Sequence, residues 1–253
     1  MELLQGIMMR RILIIQKDEI LHKIIFLVLF LSLTIKGQSK KITVEYGTRI
    51  EKEEGLFGNN VLYKNLLDKA MADCYKITFQ LIITENGAKF FNKENLESDI
   101  NRGVNGFALG MLHYGGIVYS LKDKVLEQHS QLGENVYTSQ DLKTDWALTN
   151  ETKLIDNYLC YKATNIYKVE YGAKVFNHPV TAWYCPVLPY SYGPIGYGNL
   201  PGLILELQVR NAVFGVKNIN LQSEQNFDIR VLNKIKILSR KEMEEAFDKL
   251  NGL

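Results

Sequence analysis

Short runs of β-branched and aromatic residues, each closed by a turn signal, recur along this chain and constrain its fold more than any other feature. They occupy residues 42–46, 75–84, 89–91, 116–121, 124–127, 146–149, 158–167, 180–184, 203–209, 214–221 and 227–238. Runs this short with period-two alternation suit strands that bury one face. Between the second and third runs stands Glu85-Asn86-Gly87-Ala88. Asn-Gly between apolar runs is a strong hairpin signal, because a primed turn needs positive φ at both central residues. Many such strands in sequence imply a large antiparallel sheet or open half-barrel, a mainly β (α+β) class.

Two helices are expected against that sheet. From Asn60, the residues Leu62, Leu66, Leu67, Ala70 and Met71 recur at helical spacing up to Cys74, with Asn59 or Asn60 as N-cap. Near the end, Ser239 and Glu242 stand at capping-box spacing, and Met243, Ala246, Phe247 and Leu250 share one face over 240–250. The Gly-punctuated stretch 94–110 reads as loop. Pro186, Pro189, Pro194 and Pro201, with Gly193, Gly196, Gly198 and Gly202, make the connection before residue 203 irregular.

The N-terminus reads as a leader. His22-Lys23 precedes an uncharged run over 24–35 dominated by Ile, Leu, Val and Phe, which then turns polar at Lys36-Gly37-Gln38. A run of that length fits a signal h-region of about 7–15 residues and falls short of the roughly 20 that span a bilayer. Cleavage after Gly37 leaves 38–253 as one domain with no transmembrane span. Asp18 and Glu19 are acidic where such a leader is normally positive, so Met1 reads as an over-extended start. A net charge of +2 without a basic stripe excludes a nucleic-acid footprint.

Little in the pattern carries chemistry. His113, His129 and His178 are far apart and lack metal-ligand spacing, so each reads as a surface or satisfied histidine. No cofactor motif and no G-x-S-x-G is present. Three cysteines, Cys74, Cys160 and Cys185, are too few for a disulfide scaffold. Two readings stand: Cys160 and Cys185, both in strand-like runs, pair as a disulfide, or the thiols are small buried hydrophobes.

From Trp146 to Leu207 the chain is similar to a known family. Trp146, Glu151-Thr152-Lys153, Ile155, Tyr158, Cys160, Lys162-Ala163-Thr164, Ala182-Trp183-Tyr184, Pro186, Pro189 and Gly193-Pro194 lead to Asn199-Leu200-Pro201-Gly202-Leu203-Ile204. These resemble the GLPGLI family of Bacteroidota, exported proteins of unassigned function with a Porph_ging-type domain. Asn199 and Asn157 stand where glycine is expected and Cys185 where threonine is; asparagine tolerates left-handed backbone, so the turns survive. The resemblance implies an exported protein of the periplasm or outer membrane.

Pro201-Gly202 reads as a type II turn leading into the strand at Leu203 and Ile204. Trp183, Tyr184, Tyr190, Tyr192 and Tyr197 are the candidate rim of a pocket or peptide-binding edge. Two function classes follow. A binding or carrier protein predicts an apolar cavity with few titratable groups, taking a lipid, a peptide or an outer-membrane protein partner. A hydrolase acting on an envelope component needs a constellation drawn from His178, Ser191, Asp145, Glu151 and Glu206.

Overall fold

The computed structural model describes residues 41–93, 102–171 and 174–252; the leader expected over 1–37 lies outside the described residues. Alternation shapes the strands. In β1 (Ile42–Ile50) the side chains of Ile42, Val44, Tyr46 and Ile50 are buried on one face. Their partners Phe79, Leu81 and Ile83 on β2 (Thr78–Thr84) and Ala88 and Phe90 on β3 (Gly87–Lys93) continue that face. The meander runs on through β4 (Val118–Ser120), β5 (Lys124–Gln128) and β6 (Val136–Asp141).

A second antiparallel meander comprises β7 (Ala147–Ile155), β8 (Tyr158–Tyr171), β9 (Lys174–Cys185), β10 (Leu203–Val209) and β11 (Ala212–Asn220). The β1–β11 ladder joins the two meanders, and β12 (Lys236–Leu238) adds to β6 in parallel. The result is one open, mixed, twelve-stranded sheet in the order β12-β6-β5-β4-β3-β2-β1-β11-β10-β9-β8-β7. The mainly β expectation holds, and so does the unclosed sheet.

Helix α1 (Val61–Asp73) starts where its cap predicts, with the Asn60 side chain accepting from the Tyr63 N–H at 3.2 Å. The last helix, α3 (Arg240–Asn251), carries the full Ser239–Glu242 capping box. Between them lies α2 (Arg102–Met111), which corrects the loop reading of 94–110; residues 94–101 are outside the described ones. Ala108 and the following Leu112 are buried with Leu67 and Ala70 of α1 and with Phe79, Phe90 and Phe214 of the sheet. That burial outweighs the poor helix propensity of the glycines.

The opposite face of the first meander has its own small core. Ile82, Tyr119, Leu126 and Tyr137 are covered by Phe227, with Leu232 and Ile235 beside it. The run 227–238 is accordingly not a long strand: Ile229–Lys234 coils as a 3₁₀ helix and β12 alone pairs. The Asp228 side chain accepts from the Arg230 N–H at 2.9 Å and bends the chain there. The β2–β3 hairpin is also turned one residue early. Thr84 pairs with Gly87, so Glu85-Asn86 form the loop, and of Asn86 and Gly87 only the glycine has positive φ. The Ser120 carbonyl of β4 leaves no room there for a Cβ.

Candidate functional site

Curling of the sheet brings β5 and β6 to face β8 and β10 across a cavity of about 130 Å³. Glu127, Gln140, Tyr167 and Val209 line it from these four strands. The Pro/Gly-rich connection between β9 and β10 supplies Ile195, Gly196 and Tyr197, and the end of α2 supplies His113. Asp141 and Lys143 also line it.

Backbone geometry places His113. After α2 the Tyr114 N–H bonds the Leu109 carbonyl (3.0 Å) and the His113 N–H bonds the Gly110 carbonyl (3.0 Å). This is a Schellman stop with His113 at the left-handed position, φ 53°. Its imidazole makes a hydrogen bond to the Val209 backbone carbonyl, while Nε2 is buried without a partner. A nitrogen that donates to a carbonyl leaves its fellow as an acceptor. Burial, with the nearby Arg210 and His178 charges, holds the imidazole down at about 4, so it is neutral at physiological pH. Arg210 is itself held in a two-bond pair with Glu53, at 2.6 and 2.7 Å.

Burial pushes the Glu127 carboxyl up, against a 3.0 Å hydrogen bond from Gln140 Nε2 that favours the charged form. The Tyr197 and Tyr167 phenols are raised in turn, first by burial. The His113 and Tyr167 rings meet edge to face at 5.1 Å. Ile195 is left-handed (φ 42°), a conformation costly for a β-branched residue, and Gly196 follows at φ 78°. A Cβ on Gly196 would lie 2.6 Å from Val125 Cγ1, so the connection can approach β5 only through glycine. Trp146 anchors the same connection, donating from Nε1 to the Gly198 carbonyl at 2.9 Å.

The site therefore offers polar donors and acceptors, with Asp141 and Lys143 in its lining, in a space well under the roughly 300 Å³ of ordinary ligand pockets. This cavity is polar and carries titratable groups, unlike the apolar cavity expected of a carrier. Among the described residues no three His, Cys, Asp or Glu side chains are grouped to hold a metal ion, and no helix is long and apolar enough to cross a membrane.

Residues 170–206 match the family model described as "Protein of unknown function (Porph_ging)". The chain carries a Porph_ging-type segment there. The Porph_ging segment spans the end of β8, all of β9, the connection and the start of β10, and so delivers Ile195, Gly196 and Tyr197 to the cavity. No curated protein matches the chain. Structures of PNGF-II in space groups P21 and C2 are similar over 83% and 82% of it, each at 16% identity and a TM-score of 0.48. The chain spans about a third of the length of those structures, 34% and 32%.

Of the five rim aromatics, Tyr197 lines the cavity. Trp183 and Tyr184 are consecutive on β9 and project to opposite faces. The Trp183 ring lies under Lys153, whose Nζ is 4.4 Å from its centroid and 2.7 Å from Glu206. Tyr184 is buried facing Tyr161, and Tyr190 and Tyr192 are half-buried against the main core. In the hexapeptide 199–204 Leu200, Leu203 and Ile204 are buried. Pro201-Gly202 is not a type II turn: the Gly202 N–H bonds the Leu200 carbonyl at 2.7 Å, a γ-turn around Pro201. Gly202 has φ 153°, and the Cys185 carbonyl leaves no space for a Cβ on it.

The five hydrolase candidates do not converge. Glu151 pairs with Lys162 and Glu206 with Lys153, on the face carrying Trp183. His178, five residues from Trp183, projects to the other face opposite Tyr167. Asp145 accepts from Asn165 at 3.1 Å, and Ser191 is exposed in the connection. The reading of His113 as a surface or satisfied histidine is corrected, since its Nε2 is buried without a partner; Glu127 carries no sequence signal, and the two come together only through the curl of the sheet.

Proposed function

We propose that this chain is a non-enzymatic binding protein of the bacterial envelope, and that its cavity holds one small ligand bearing both hydrogen-bond donors and acceptors. The observation that carries the binding reading is the buried, unpartnered Nε2 of His113 in a cavity shared with Glu127, Tyr167 and Tyr197. An unsatisfied buried acceptor costs about 1–3 kcal/mol, which a ligand hydroxyl or amine would offset. Imidazole nitrogen signals of the protein, followed by NMR against a panel of small polyols, sugars and amino acids, test this. One class should move the His113 signals, and H113N should abolish its binding. Retention of a lipid or peptide in native mass spectra, unaffected by H113N, would place the binding surface elsewhere.

Export to the periplasm or outer membrane is supported by the apolar run 24–35 and by the GLPGLI-like hexapeptide at 199–204, a pattern of Bacteroidota proteins. A processed chain beginning at Gln38 is expected; an intact N-terminus in the membrane fraction would refute cleavage. Co-purification with an outer-membrane protein would favour an accessory role instead. One observation favours an enzyme as second reading: neutral His113 and Glu127, whose carboxyl burial pushes up, line the same cavity, and groups perturbed by burial cluster at functional sites. Turnover of an envelope component lost in both H113N and E127Q would establish it.

A further inference from the structure

Register brings two cysteines together. The β7–β8 ladder sets Lys153 opposite Cys160, and the β9–β10 ladder sets Cys185 opposite Leu203. On β8–β9, Tyr161 pairs with Tyr184, so one further step sets Cys160 opposite Cys185. Both are fully buried free thiols, and their sulfurs are within hydrogen-bond reach of each other. Residues directly opposite on antiparallel strands have Cα atoms about 4.5–5.5 Å apart. That lies inside the roughly 4.4–6.8 Å window that a disulfide requires.

We propose that Cys160 and Cys185 are an oxidisable pair that closes into a cross-strand disulfide at the base of the cavity connection. Cys185 is the last residue of β9, and both ends of the connection rest on it. Its carbonyl accepts from the Leu188 N–H at 3.1 Å and is the group that crowds Gly202. A bond there would hold fixed the two ends of the segment that carries Ile195, Gly196 and Tyr197 to the cavity. The proposal stands whether or not that cavity binds a ligand.

The oxidant is a low-molecular-weight disulfide. One cysteine thiolate attacks it, forming a mixed disulfide and releasing one small thiol. The second cysteine, deprotonated, attacks the protein-bound sulfur and releases the other. Two protein thiols and one small disulfide thus become one protein disulfide and two small thiols, which carry off both electrons and protons. Thiolate is the attacking species, and burial beside Cys185 pushes the Cys160 thiol up to about 12. Exchange is therefore slow in the folded chain and fast while the β8–β9 hairpin is formed but the connection is not yet packed.

Refolding the reduced full chain in mixed reduced and oxidised glutathione, then alkylating under denaturing conditions, tests this. Of the three cysteines, Cys74 alone should be labelled, the peptides bearing Cys160 and Cys185 should be linked, and the mass should fall by two hydrogens. The oxidised form should melt higher than the reduced one. C185T, a strand-compatible replacement, should melt identically with and without reductant. Labelling of all three cysteines after oxidative refolding, or a linkage through Cys74, would overturn the pair. The wild-type labelling count decides this even if C185T does not fold.

Discussion

At His113 the chain accepts a left-handed backbone that glycine takes at least cost, and uses it to direct an imidazole into a polar cavity. The protonation consequence has a definite sign. Unfolded, the imidazole titrates near about 6.5; folded, it titrates at about 4. Between those values the unfolded chain binds more protons, so the contribution of His113 is fully present above about pH 6.5. It is lost as pH falls through about 4, by an amount of up to about 3 kcal/mol. Glu127 works the other way: its carboxyl is raised, so its contribution is present below the unfolded carboxyl range and lost as pH rises through the folded value. Urea unfolding of wild type and H113N at pH 7 and near pH 4 separates the two. Asparagine tolerates the left-handed backbone, and the wild type should lose stability relative to H113N as pH falls. A pH-independent difference would mean that His113 is not held neutral by the fold.

Among the elements, turns separate what the sequence made legible from what it did not. Asp156-Asn157 between β7 and β8 are both left-handed, φ 46° and 66°, as a primed two-residue hairpin requires. N157G should therefore raise stability by a few tenths to about 1 kcal/mol in chemical denaturation. G202A should do the reverse and lower it by about 1–3 kcal/mol, because a Cβ there meets the Cys185 carbonyl. A neutral G202A would show that the connection can shift at its base. The strands and the two capped helices were readable because alternation and capping are local signals. Helix α2 was not, since its glycines argue against a helix and only packing of Ala108 and Leu112 under the sheet overrides them. Tyr197 was found through the aromatic cluster. Glu127, on a strand of ordinary alternation, and Ile195, whose strain no composition reveals, had no comparable local signal.

For the whole molecule, the decisive contact is the one that makes two meanders a single sheet. β1 is first in the chain among the described strands, yet it pairs with β11, so the last hairpin of the second meander closes on the first strand of the other. Tyr46 on β1 reaches past β11: its hydroxyl donates at 2.6 Å to the carbonyl of Ile204 on β10, and the side chain is fully buried. Y46F keeps the ring against Phe90 but leaves that carbonyl without its partner, a loss of about 1–3 kcal/mol. The site gives this a functional edge, because Glu127 belongs to the first meander and Tyr167, Tyr197 and Val209 to the second or its connection. Both tryptophans, Trp146 and Trp183, report on the second meander, whereas amide exchange of β2 and β3 reports on the first. In Y46F both probes should shift to lower urea together, since the β1–β11 ladder couples the halves into one cooperative unit. A shift in fluorescence alone would show that the second meander opens independently, and that the cavity is lost by separation of its walls before either half unfolds.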